Sequence, residues 1–375
     1  MTRRTQGEGS VYMRKDGRAA ASAMYEGKRI TKYGKTKKEA KEKLDAYLAD
    51  LRAGKVVMGP KQTVEQYLTH WLEDERRLRI ALTSLMRYRS SLKAHIIPAL
   101  GHIELSKLSR EHVQSFYADL LDGGLSAGSI RHVHGLLTSA LKDAVRHEII
   151  ARNPCQYVTL PRGEDFQAKA LTQEEAARLI EVARGHRLWF LILMAITTGA
   201  RLGELLALRW VDLNEEAGKL RIGRSVARVQ GVGRIEKAPK TKSGRRPVRL
   251  PQVILRSLEA QRDYITGVRL AAGPSWKDRD LVFPNRVGDH MDHWVVLRTF
   301  KQLVEQAGLP VMRFHDLRHS AATLLLAAGV NVKVVQEMLG HADIRTTLGM
   351  YGHVLPDMQK DASDKMDDLF GDAQS

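Results

Sequence analysis

Three short β-prone runs open the chain: GSVYMR, AAASAMYE and KRITKYG. Asp16-Gly17 and Glu26-Gly27 separate them, and both dipeptides favour tight turns. The next stretch, TKKEAKEKLDAYLADLRAG, reads as a helix, with Thr36 and Glu39 in capping-box spacing and Gly54 as its stop. Residues 1–58 are therefore expected to form a three-stranded sheet with one helix.

Between residues 62 and 158 the pattern is helical throughout. TVEQYLTHWL opens with a Thr63–Gln66 capping box, and helical periodicity recurs over about 83–95, 109–122 and 129–148. The breaker-rich segments IIPALGH and DGGLSAG divide these helices. A Pro-punctuated polar stretch follows, and residues 159–170 are read as the linker. A third region, 171–356, begins with a capping box at Thr172–Glu175 and a buried helix, then GARLGELLALRW. KLRIGRSVARVQGVGRIEKAPKTKSGRRPVRLP then predicts a three-stranded β-meander, and helices resume from about 252. Residues 357–375 form an acidic tail whose large apolar pair is Leu369 and Phe370. The fold class expected is mainly α with small β-sheets (α+β).

Composition narrows the function. At 375 residues the chain is long enough for two or three domains. A formal charge of +17 points to a polyanionic partner, nucleic acid first and an anionic membrane second. The excess is concentrated: residues 1–61 hold 16 Lys and Arg against 7 Asp and Glu, which favours a DNA-contacting module there. The longest apolar run, LWFLILMAI at 188–196, is far below the ~18 residues of a membrane span. The N-terminus has no apolar signal region, and one cysteine, Cys155, allows no internal disulfide. A cytoplasmic protein of a bacterial setting is expected.

Several motifs bear on chemistry. GKT at 34–36 lacks the upstream Gly of a phosphate loop, because position 29 is Arg, and GEG at 7–9 lacks the third Gly of a dinucleotide fingerprint. RFHDLRHSAATLLLAAG puts His315, Arg318 and His319 on one helix face. Two histidines four apart could ligate zinc, yet no third ligand or H-E-x-x-H glutamate accompanies them. TTGARLGELLALRW places Arg201 at the start of an amphipathic helix, near the core, with Glu204 three residues on. By itself that pair is a structural ion pair. Lys242, on the Gly-containing hairpin tip PKTKSGRRP, is by itself a solvated charge. Tyr351, in MLGHADIRTTLGMYGHV, is by itself one of ten tyrosines.

Together they suit phosphodiester attack. A tyrosine is a poor nucleophile near neutral pH unless cations or a base draw off its proton. Charge that builds on two non-bridging oxygens can be gripped by two arginines without a metal. A lysine of lowered pKa can protonate the leaving oxygen, and histidines can move the tyrosine proton.

At these residues the chain resembles the tyrosine recombinases, specifically the integrases of phages and integrative elements. The family's first box, T-G-x-R-x-x-E-L-x-x-L-x-W, is met by TGARLGELLALRW; its second, H-x-L-R-H then L-G-H then Tyr, by HDLRH, LGH and MYGHV. The resemblance implies Tyr351 as the nucleophile of a 3′-phosphotyrosine, with Arg201 and Arg318 on the scissile phosphate. It implies Lys242 as general acid, with Lys240 the weaker candidate, and His315 as base and acid. His341 would hydrogen-bond the phosphate, and Glu204 would hold Arg201 or the neighbouring histidine. It also implies that no nucleotide, metal or other cofactor is needed. The partners implied are core-type and arm-type double-stranded DNA, a homotetramer exchanging strands through a Holliday junction, and accessory excisionase or DNA-bending host proteins. The tail is implied to pack on the next protomer. Three rivals are a type IB topoisomerase, to which a separate arm module is of no use, a DNA-binding regulator without catalysis, and an RNA-binding protein suggested only by charge.

Overall fold

The computed structural model describes residues 9–25, 27–52, 61–163, 170–229, 231–238, 244–340 and 342–344, with 363–364, 366–368 and 370. The architecture is α+β, mainly helical with small antiparallel sheets. It divides into two compact units, Met1–Glu164 and Asp165–Ser375. No described helix is long and apolar enough to cross a membrane.

The first unit holds two separate cores. In one, β1 (Ser10–Met13), β2 (Ala19–Tyr25) and β3 (Lys28–Gly34) pair antiparallel in that order. Ala19, Ala21 and Ala23 on one face of β2 pack with Ile30 against Ala40, Leu44 and Leu48 of α1 (Lys37–Arg52). Helix and strand meet closely: a Cβ on Gly34 would lie 2.6 Å from the Ala40 nitrogen. The Thr36 hydroxyl caps α1 by accepting from the Glu39 amide at 3.1 Å. On the sheet's other face Tyr12 and Tyr33 flank Ala20, the Arg14 guanidinium lies 5.3 Å from the Tyr33 ring centre, and Arg29 donates to the Ser22 hydroxyl at 3.2 Å.

The other core is all helical. α2 (Val64–His70) carries the expected Thr63–Gln66 capping box and runs on into a wider turn, Trp71–Glu75. α3 (Leu82–Ser91) passes through a second wide turn, Leu92–Ile96, into α4 (Ile97–Leu100), where Pro98 cannot donate to the preceding ladder. α5 (Arg110–Asp122) and α6 (Ala127–Arg146) complete the bundle. Two of its aromatic polar atoms are satisfied across more than 70 residues of sequence: the Tyr67 hydroxyl donates to the Ala140 carbonyl at 2.7 Å and the Trp71 indole to Asp143 at 2.8 Å.

In the second unit α7 (Gln173–Val182) begins with the Thr172–Glu175 capping box, and α8 (Trp189–Thr198) is the buried helix read from its apolar run. α9 is a single turn, Leu202–Leu205. Four short strands follow: β4 (Leu213–Asn214), β5 (Lys219–Ile222), β6 (Ser225–Val229) and β7 (Gly233–Lys237), then β8 (Arg246–Arg249). The last of these corrects the expected meander. β5 pairs with β4 and β8, whereas β6 and β7 form a separate hairpin. The reason is local: β6 lies on α9, where the Val226 carbonyl would be 2.6 Å from a Cβ on Gly203, so it leaves the β5 sheet. Salt links tie the hairpin to the body, Glu236 of β7 accepting from Arg209 at 3.0 Å and lying 3.3 Å from Arg224. α10 (Gln252–Leu255), α11 (Leu258–Ala272), α12 (His293–Gln306), α13 (Asp316–Ala327) and α14 (Val332–Leu339) follow. α13 packs on α8, and Ala322, Leu326, Val335 and Leu339 join α13 to α14.

Candidate active site

Gly199 closes α8 in the left-handed conformation, φ +62°, which an L side chain adopts only with strain. A Cβ there would also lie 2.5 Å from a methyl of Leu339. Two residues on, Arg201 is the N-terminal cap of α9, and its backbone N–H donates to Glu204 at 3.0 Å. Its guanidinium donates to the other oxygen of the same carboxylate, also at 3.0 Å.

Arg201 lies farther out than its sequence position predicts. Instead of sitting near the core, its side chain is 42% exposed, while that of Glu204 is 6% exposed. α9 is one turn long, so the arginine stays at its mouth and only the carboxylate enters. What neutralises Glu204 from inside is Arg246, 5% exposed, whose two terminal nitrogens meet the carboxylate at 3.0 and 3.3 Å. Burial alone would raise the Glu204 pKa; the hydrogen bond and charge of Arg246, then those of Arg201, outweigh it and hold the group below the ordinary glutamate range.

Arg246 belongs to none of the sequence motifs that mark the site. Its signal was an arginine on the inward face of a strand, in step with buried Val248 and Leu250. The Arg246 Nε also donates to the Met338 carbonyl at 2.5 Å.

His315 immediately precedes α13, and Arg318 follows one turn later, nearly fully buried. The Arg318 guanidinium donates to the Gly199 carbonyl at 2.8 Å and to the Leu339 carbonyl at 2.6 Å. These bonds bring α13 to the turn that carries Arg201. Part of His315 is exposed to solvent. Enclosure of the rest, then the positive charge of His319, Arg318, Arg201 and Arg313, pushes its pKa down to about 4. His319 meets it edge-on, ring centres 5.3 Å apart, and is also lowered, chiefly by burial. Buried Asp316 is gripped by Arg313 at 2.8 Å, and the Ser320 hydroxyl accepts from the Leu171 amide and donates to the Asp316 carbonyl, both at 2.9 Å.

The structure thus brings Arg201, Glu204, His315 and Arg318 together and adds Arg246. Lys242 and its alternative Lys240, together with His341 and Tyr351, lie outside the described residues. Among the described residues no cluster of His, Cys, Asp and Glu could hold a metal.

The chain matches the model of the phage integrase family over residues 169–358, and that of the phage integrase N-terminal SAM-like domain over 63–121. A tyrosine recombinase XerC-like protein of Caldanaerobacter subterraneus subsp. tengcongensis is 31% identical over 364 residues, 92% of this chain and 93% of that one. In fold the chain is similar to the Tn1549 transposon integrase solved with a circular intermediate DNA, at TM-score 0.71 and 20% identity over 81% of this chain and 99% of that one. It is also similar to the lambda integrase solved as a tetramer on a Holliday junction, at TM-score 0.56 and 19% identity over 89% and 95% of the two chains. With a family match across half its length and a relative at that identity, the chain belongs to the phage integrase family, the tyrosine recombinases.

Proposed function

We propose that this recombinase cuts and rejoins double-stranded DNA at the attachment sites of a mobile element, with Tyr351 as nucleophile. The observation that carries the reading is the convergence of Arg201, from the α8–α9 turn, with Arg318 and His315 of α13. Two guanidiniums from separate elements suit the two non-bridging oxygens of one phosphate. A histidine held neutral beside them is a base ready to accept a proton, and the arriving phosphate raises its basicity.

In this reading the Tyr351 oxygen attacks phosphorus and its proton passes to His315. The bond to the 5′ oxygen breaks, and that oxygen takes a proton from Lys242. His341 steadies the phosphate, and Glu204 steadies Arg201. The 3′-phosphotyrosine keeps the bond energy, so a 5′-hydroxyl from another duplex can reverse the step. The kindred lambda integrase, solved as a tetramer on a Holliday junction, supports strand exchange by four copies. Residues 1–58 are assigned to arm-type DNA, 62–158 and 171–356 to the core site, 159–170 to the linker and 357–375 to a tail that docks on the next copy. Excisionase and a DNA-bending protein are the accessory partners that this assembly would use.

A nicked duplex that traps the covalent intermediate tests it, its core site recovered by selecting bound sequences from a randomised pool. The wild type should form a protein–DNA adduct and Tyr351→Phe none. Equal adduct from both removes Tyr351 as nucleophile.

A further inference from the structure

Glu204 is almost wholly enclosed, yet two guanidiniums meet it. Its first oxygen accepts from Arg201 at 3.0 Å and from Arg246 at 3.3 Å; its second accepts from the Arg201 backbone at 3.0 Å and from Arg246 at 3.0 Å. Every nitrogen of the Arg246 guanidinium is engaged, since its Nε holds the Met338 carbonyl. A buried ion pair of this kind adds little net stability over an apolar pair of the same volume, so its value lies in geometry. The two arginines differ in what is left over. Arg246 has no outward edge, whereas Arg201 spends one side-chain nitrogen on Glu204 and turns the remainder to solvent.

We infer that Arg246 is a positioning residue for cleavage: it locks the Glu204 carboxylate in the one orientation that aims Arg201 at the scissile phosphate. Without the fork, the carboxylate can rotate about its side-chain torsions, and the half-exposed Arg201 loses the acceptor that fixes its plane. Arg246 and Arg318 also hold consecutive carbonyls, Met338 and Leu339, at the C-terminal end of α14. Cations suit that end of a helix. The fork thereby joins β8, α9 and the end of α14 at one point. Its role rests on the function proposed for Arg201.

The test uses the full chain and Arg246→Lys, which keeps the charge but replaces a planar fork with a single ammonium. Single-turnover cleavage of the nicked core-site duplex should slow about 10- to 100-fold, with core-site Kd changed less than about 3-fold. A second substrate carries methyl in place of one non-bridging oxygen at the scissile phosphate. It is neutral there and has less need of a well-aimed Arg201, so the deficit relative to wild type should shrink to about 3-fold or less. Cleavage within about 3-fold of wild type on the ordinary substrate overturns the inference, as does an equal deficit on both substrates, which marks a role in fold alone. If Arg246→Lys does not melt cooperatively, Glu204→Gln, which keeps the volume and one acceptor, is judged by the same two ratios. Should Arg201→Ala cleave like wild type, the function given to Arg201 fails first, and that outcome is distinct from a normal Arg246→Lys beside a defective Arg201→Ala.

Discussion

Arg318, from α13, donates to the carbonyl of Gly199 at 2.8 Å, only two residues before Arg201. The two arginines assigned to the phosphate are thus coupled through one backbone hydrogen bond, yet they are built differently. Arg318 is interior and holds two backbone carbonyls; Arg201 is peripheral.

That difference separates the two alanine variants. Arg318→Ala should abolish adduct formation and also lower stability, because the buried Gly199 and Leu339 carbonyls lose donors at about 1–3 kcal/mol each. Arg201→Ala should abolish adduct formation with a loss within about 1 kcal/mol, since Glu204 keeps Arg246. Urea titration alongside the cleavage assay checks both, and equal destabilisation would contradict the contrast.

Gly199→Ala should destabilise by about 1–3 kcal/mol, from a left-handed backbone and from collision with Leu339. Because the Leu339 carbonyl accepts from Arg318, the variant should also cleave more slowly than its residual folded fraction explains. A melt and a single-turnover rate on the same preparation decide this.

His315 gives a pH prediction of definite sign. Its pKa in the folded chain, about 4, lies below the ordinary histidine value of 6.5. The unfolded chain then binds more protons, so stability is complete above about pH 6.5 and declines as pH falls toward 4. His319 is shifted the same way. Thermal melts from pH 7.5 to 4.5 should show the decline, with a smaller one in His315→Gln. A variant that matches wild type would place the acid sensitivity elsewhere. If His315 is the base, as proposed, it stays neutral through pH 6 in the free protein, so the acid limb of cleavage at limiting DNA should lie below the histidine norm.

Arg29 projects from the sheet face that carries Tyr12 and Tyr33 and is tethered to Ser22. If this face meets arm-type DNA, Arg29→Ala should weaken arm binding and reduce the slope of log affinity against log salt by about 1, with core-site cleavage unchanged. An unaltered slope would move the arm contact off this face.

Much of this architecture was legible because it is local. Thr63 with Gln66 and Thr172 with Glu175 cap helices three residues away, and the apolar run of α8 cannot be placed except in a core. Arg201 with Glu204, and His315 with Arg318, were visible as spacings. Which partner would be buried was not, because that depends on α9 stopping after one turn and on a counter-charge 42 residues away in β8. The pairing of β5 with β8 was hidden for the same reason: a whole hairpin intervenes, and short strands carry little register information.

Among the described residues Arg201, Arg246, Arg313 and Arg318 lie with the carboxylates of Glu204 and Asp316. Of the two guanidiniums on Glu204, that of Arg201 faces solvent. If Arg201 takes the scissile phosphate as proposed, DNA supplies that guanidinium with a second anion, and a ligand bound only by the folded chain raises its stability.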